Sequence, residues 1–310
     1  SFAVPMGIVF TFAQANSRIL CKFFNKKAFA LECYFRYNNS SISLQKGQTF
    51  LPTAKLVDYI LRSQPFFVKE YCMGGNIMYD VVIVGAGPGG IFTAYELLEK
   101  RPDLSIAVFE MGNELTKRHC PIDGDKVKSC IHCKNCSIMS GFGGAGAFSD
   151  GKYNITNDFG GTLYEYIGKK SALELMEYVD KINLAFGGEG TKLYSTAGSS
   201  LKTRCMQNGL HLLDASVRHL GTDINYIVLE HLYDHLKEKI DFHFNCFIDK
   251  VEKLDSGYRI YHEDSYYDGK ECVISAGRSG SKWMENVCRD LDINTNSNRV
   301  DIGVRVELPA

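Results

Sequence analysis

Apolar and polar positions change their rhythm at about residue 78, and the elements they predict follow from that change. Asp80 to Val84 is a short run rich in β-branched residues, the pattern of a strand buried on both faces. Ile91, Ala94, Tyr95, Leu97 and Leu98 then recur at helical spacing, and Ile106 to Phe109 gives a second apolar strand ending on Glu110. Farther on, Ala172, Leu175, Met176, Val179, Ile182 and Phe186 form a helical stripe, which reads as core packing. Ile224, Ile227, Val228, Leu232 and Leu236 form another, with Thr222 or Asp223 as its expected N-cap. Phe242, Phe244 and Cys246 alternate. Phe247 to Leu254, Tyr258 to His262 and Tyr266-Tyr267 predict a β-meander turning at Asp255-Ser256-Gly257. Cys272 to Gly277 returns to the buried-strand pattern. A helix over 281–291 and a strand over 300–307 complete the pattern.

The first 77 residues lack such a period. Phe2 to Ala13 is apolar and of signal-peptide length, but no basic segment precedes it and no clear cleavage site follows. Lys55 to Arg62 suggests one short helix. Gly74-Gly75-Asn76 just before Met78 resembles a translated ribosome-binding site, so residues 1–77 are expected to be translated upstream sequence, with a poorly structured N-terminal extension as the alternative.

Between the first strand and its helix, Gly85, Gly87 and Gly90 stand at G-x-G-x-x-G spacing, and Glu110 lies 20 residues beyond Gly90. In a βαβ dinucleotide site the first glycine makes the tight turn and the second lets backbone approach a pyrophosphate. The third allows close helix–strand packing, and the acid accepts hydrogen bonds from a ribose diol. Pro88 and Gly89 open the helix, whose N–H groups would face the phosphates.

Two features follow Glu110. Cys120, Cys130, Cys133 and Cys136 form C-x9-C-x2-C-x2-C, which suits an iron–sulfur or zinc centre, with His119 and His132 as substitute ligands. Reduced or redox-active thiols in a loop are the equal alternative. Next, Gly141 to Gly146 runs into Ala147-Phe148-Ser149-Asp150-Gly151-Lys152. Glycines this dense leave backbone N–H groups open to a phosphate or a flat ring, and the two phenylalanines argue against a plain linker. Arg218 and His219, just before the second helical stripe, could bring a cation and a proton carrier to a cleft, with a surface arginine and a capping-loop histidine as the equal alternative.

Composition adds bounds. The 310 residues are 45% hydrophobic and 23% charged, with material for a large core. A net charge of -1 gives no electrostatic case for nucleic acid or an anionic membrane. No apolar run reaches the roughly 18 residues of a membrane span. The 11 cysteines fit a cytoplasmic redox or metal role better than a disulfide scaffold.

The fingerprint, the Ser140 to Lys152 glycine loop, Arg218 to Asp223, Ser275 to Gly280 and Asp301 to Glu307 together resemble a bacterial family of largely uncharacterised FAD-dependent dehydrogenases within the glutathione-reductase-like superfamily. The resemblance covers about residues 78–310. It implies a Rossmann-like α/β FAD-binding domain, a parallel sheet with a β-meander crossover, and an inserted α+β substrate or cap domain. The expected divisions are 78–160 and 221–291 for the FAD domain, 161–220 for the cap segment, and 292–310 for the start of a substrate domain. By the same resemblance Gly85, Gly87, Gly90 and Glu110 hold the ADP half of FAD. Gly143, Gly144 and Gly146 lie near the pyrophosphate or flavin, and Ala276 and Gly277 form a second FAD-contacting turn. The implied function is FAD-dependent oxidoreduction with a small-molecule substrate or electron donor, NAD(P)H being one candidate. A flavoprotein acting on a protein or RNA partner is the alternative.

Overall fold

A computed structural model describes residues 8–11, 20–22 and 78–295. The expected helix over 55–62 and the strand over 300–307 lie outside the described residues. Eleven strands are described. Two come from the early stretch, β1 (Ile8–Thr11) and β2 (Leu20–Lys22). The fingerprint supplies β3 (Met78–Val84), α1 (Pro88–Lys100) and β4 (Ile106–Glu110). There follow β5 (Lys152–Ile155), α2 (Tyr164–Ile167), α3 (Lys169–Asn183), β6 (Leu193–Ser195), α4 (Leu201–Gln207), β7 (Ser216–His219) and α5 (Thr222–Lys237). The chain continues with β8 (Asp241–Phe244), β9 (Lys250–Leu254), β10 (Gly257–His262), β11 (Ser265–Ile274) and α6 (Ser281–Asp290).

The main sheet has the order β2-β1-β11-β3-β4-β8, with β10 paired to β11 and β9 to β10. Every pairing from β1 to β8 is parallel, and β2 and the meander strands join antiparallel. Parallel strands need crossovers and cover on both faces. Alternate residues of β3 supply that division. Val81 and Ile83 face a core with Ile91, Ala94 and Leu97 of α1 and Val228, Leu232 and Leu236 of α5. Val82 and Val84 face a second core with Val251, Tyr258 and Ile260 of the meander and Met284, Val287 and Cys288 of α6. Each fully buried side chain of this size contributes about 1.5–3 kcal/mol. This is a Rossmann-like α/β domain carrying a β-meander.

The meander corrects one expectation. Its last strand and the returning parallel strand are a single element, β11. The first half of β11 pairs with β10 through Tyr258 and Gly269, and its second half with β3 through Val273 and Ile83. The strand after β8 also begins later than expected, at Lys250, where its pairing with Tyr261 of β10 starts.

Between β4 and α5 the chain builds a second, three-stranded antiparallel sheet of order β5-β7-β6, backed by α3. The inner face of α3 is not wholly apolar: Asp180 and Asn183 are buried beside Ala172 and Ile182. The expected Thr222 or Asp223 cap of α5 is instead Gly221. Its N–H is held by the Asp150 carbonyl, so the helix begins directly at Thr222.

Candidate functional site

The strands β3 and β11 end side by side, and their turns form the centre of the site. Gly85 (φ 102°) donates its N–H to the Phe109 carbonyl at 2.7 Å, and a Cβ there would stand 2.5 Å from the Ser275 oxygen. Gly90 is closer still: a Cβ would lie 1.9 Å from the Gly85 oxygen, so the first turn of α1 rests directly on the fingerprint turn. Both positions need glycine for steric reasons. Ser275 donates its N–H to Val84 at 2.7 Å, which brings Ala276 and Gly277 to the same rim. Above Gly87 the situation reverses. A Cβ there would meet only the Gly144 Cα, at 3.9 Å, and one on Gly277 would meet nothing within 4 Å. The α1 N-terminus begins at Pro88, has no side-chain cap and no acid in its first turn. The result is a bare backbone cradle at a positive helix end, a fit for a pyrophosphate.

The glycine loop forms the opposite wall, and it is fixed along its length. Gly141 N–H donates to Glu110 Oε1 at 2.8 Å, Phe142 N–H to the Asn113 carbonyl at 3.0 Å, and Gly143 N–H to the Ala86 carbonyl at 2.8 Å. Arg118 Nη1 reaches the Phe142 carbonyl at 2.6 Å, and Asn225 Nδ2 the Gly146 carbonyl at 3.0 Å. Phe142 is completely buried against Tyr233 and Phe242, which removes any freedom a linker would have. Gly144 to Gly146 make a short helical turn facing Gly87 and Pro88.

Glu110, expected as a ribose acceptor, is here a hub for backbone N–H groups. Its Oε2 accepts from Ala86 N–H at 2.8 Å, and its Oε1 from Gly112 and Gly141 N–H at 2.9 and 2.8 Å. One carboxylate thus ties the fingerprint turn, the end of β4 and the glycine loop together. A carboxylate offers about four accepting positions, so one remains, on Oε2.

Arg118 was invisible in the sequence, where it is one basic residue in Lys117-Arg118-His119. It is 2% exposed, lies over the Phe148 ring, and donates from Nε to Ser137, from Nη2 to Ile138 and from Nη1 to Phe142 carbonyls. Burial pulls its guanidinium down to about 10, opposed by the nearby charge of Glu110. No distinctive spacing announced it.

Arg218 is a correction. It was expected to face a cleft, but it is buried, with Nε and Nη2 on the Asp180 carboxylate at 2.5 and 2.8 Å and Nη1 on the Thr191 carbonyl at 2.6 Å. Its fork is consumed inside the second sheet, because β7 points alternate residues inward and outward. His219, the next residue, points out: its Nε2 is 3.8 Å from Asp150, whose carboxylate is held below its usual range chiefly by Lys152 at 2.8 Å.

The structure does not show the expected cysteine centre among the described residues, and free loop thiols were its equal alternative. Cys120, Cys130, Cys133 and Cys136 are free and exposed, and among the described residues no group of three or more Cys, His, Asp or Glu is gathered as a metal site. The segment has no strand or helix between Arg118 and the glycine loop to bring the thiols together. His119 and His132 do not complete such a set either.

Fold and site together define a Rossmann-like α/β protein with a glycine-walled backbone cradle at a helix N-terminus. No family model matches the chain, and no curated protein matches it. Among solved structures it is similar to glycine oxidase from Geobacillus kaustophilus, at 16% identity and a TM-score of 0.40, covering 69% of this chain and 58% of that one. It is similar to L-amino acid deaminase from Proteus vulgaris at 14% identity and 0.36, covering 74% and 53%. THI4 from Thermovibrio ammonificans matches at 12% and 0.36, covering 70% and 64%. The chain therefore spans a little over half to just under two thirds of the length of these proteins. Among the described residues no helix is long and apolar enough to cross a membrane.

Proposed function

We propose that the chain binds FAD and serves as a flavin-dependent oxidoreductase acting on a small-molecule substrate. The observation that carries the reading is the cradle between Gly87, Gly144 and Gly277, bare of side chains and set at the α1 N-terminus. A pyrophosphate spreads negative charge over several oxygens, which suits an uncapped helix N-terminus and the close backbone approach allowed at Gly87 and Gly277. The spare position on Glu110 Oε2 would accept one ribose hydroxyl, while its other positions keep the cradle in shape. A second strand-to-glycine turn, at Ser275 to Gly277, favours FAD over NAD, because a simple NAD domain does not need the return. When bound, the isoalloxazine supplies hydride or electron transfer, and the protein supplies placement.

The side chain offered for proton movement is His219, exposed beside Asp150 where the glycine loop leaves the cradle. Purifying the full chain, recording its visible spectrum and identifying what denaturation releases tests the reading. Flavin bands and free FAD are expected; release of NAD, or a colourless protein that takes up no added FAD, would end it.

A further inference from the structure

A line of buried polar groups runs from the glycine loop into the second sheet. Asn225 is 2% exposed, on the first turn of α5. Its Nδ2 donates to the Gly146 carbonyl at 3.0 Å and also faces the Ala147 carbonyl at 3.4 Å. Its Oδ1 accepts from the Tyr153 hydroxyl at 3.1 Å. The two loop carbonyls can only accept, so the amide NH2 faces them and Oδ1 is left to accept from Tyr153. Tyr153 keeps its proton: burial first, and the charge of Asp180 second, push its phenol up to about 12. Asp180 in turn is held by Arg218, and Arg218 by Thr191.

Each member has a partner. Burial alone favours an apolar residue at 225, so the amide is accounted for by the loop carbonyls it serves. We propose that Asn225 is a positioning residue for the cofactor: oriented by Tyr153, it sets the peptide planes at Gly146 and Ala147 and thereby the face that Gly143 to Gly146 present to FAD. The inference rests on the FAD reading above. It extends that reading to a residue that makes no cofactor contact itself.

The test uses the full chain with added FAD and compares the wild type with Asn225→Leu and Tyr153→Phe. Asn225→Leu leaves the Gly146 carbonyl without its donor and is expected to weaken FAD binding about tenfold or more, with displaced flavin absorption bands. Tyr153→Phe keeps the ring and removes only the orienting hydroxyl. It is expected to displace the bands in the same direction, with a smaller loss of about two- to fivefold. It also keeps the proposal testable if the leucine variant does not fold. If either variant lowers the melting temperature while affinity and bands match the wild type, Asn225 is only structural and the inference is overturned. If the wild type itself takes up no FAD, the functional reading fails, and the inference fails with it.

Discussion

Two adjoining segments promised a cofactor in the sequence, and the structure treats them oppositely. The glycine loop, residues 141–147, is tied through Glu110, Asn113, Ala86, Arg118 and Asn225. The cysteine segment just before it, residues 120–136, is exposed, and its four thiols are not gathered. A backbone site can be built in advance, because the protein's own carbonyls and carboxylates hold its peptide planes in place. A thiolate site has no such scaffold. Bare thiolates repel, so their geometry comes from the metal or from oxidation.

The largest expected effect attacks the tied segment at its hub. Glu110→Ala leaves the N–H groups of Ala86, Gly112 and Gly141 unpaired in a buried place. Each unsatisfied group costs about 1–3 kcal/mol, not fully additively, so a loss of roughly 3–5 kcal/mol is expected together with loss of bound flavin. Chemical denaturation and flavin content measure both. Glu110→Gln sharpens the case, because an amide can present only one oxygen and its NH2 must face a backbone N–H. A variant as stable as the wild type would mean that the loop holds itself, and the contrast between the two segments would disappear.

How much of this was readable follows the same line. The fingerprint was legible because β3, α1 and β4 are buried elements with clean periods, and because Gly85 and Gly90 are demanded by local contacts. The return of the chain at Cys272 to Gly277 was legible as a second buried strand running into a glycine turn, and only its FAD contact came from resemblance. What stayed hidden depends on distant partners. Arg118 meets carbonyls 19 to 24 residues away, and Asp180 meets Arg218 across 38. A stripe of apolar positions said nothing about Asp180 and Asn183 on the same face of α3. The single strand β11 was split in the sequence by Asp268-Gly269-Lys270. In the fold Asp268 pairs with Arg259, Lys270 pairs with Asp80, and Gly269 makes room for Val82.

A smaller effect is expected from the other side of the loop. Arg118→Lys keeps a positive charge but loses the planar fork that serves Ser137, Ile138 and Phe142 at once. At least one carbonyl is left without its donor, which costs about 1–3 kcal/mol. Flavin release should quicken as well, since the Phe142 carbonyl lies within the glycine loop. A lysine variant that loses stability and retains flavin as the wild type does would show that the loop's two ends are anchored independently.

The smallest effect belongs to the cysteines. In Cys133→Ser/Cys136→Ser the changed atoms are exposed, so stability should move by no more than about 0.5 kcal/mol. The turn that follows is held by groups that serine retains. Met139 and Ser140 N–H donate to the residue 136 carbonyl at 3.0 and 2.8 Å, and Asn135 Nδ2 to the Met111 carbonyl at 2.7 Å. Flavin content should therefore match the wild type. The comparison breaks if anaerobically purified wild type carries stoichiometric iron or zinc and the double variant loses it along with flavin. The thiols would then be drawn together by their ligand and would share the anchoring of the loop, and the two segments would be one site. Equal flavin content and no metal in either protein would leave the cradle resting on backbone alone, as the hydrogen bonds of Glu110, Arg118 and Asn225 arrange it.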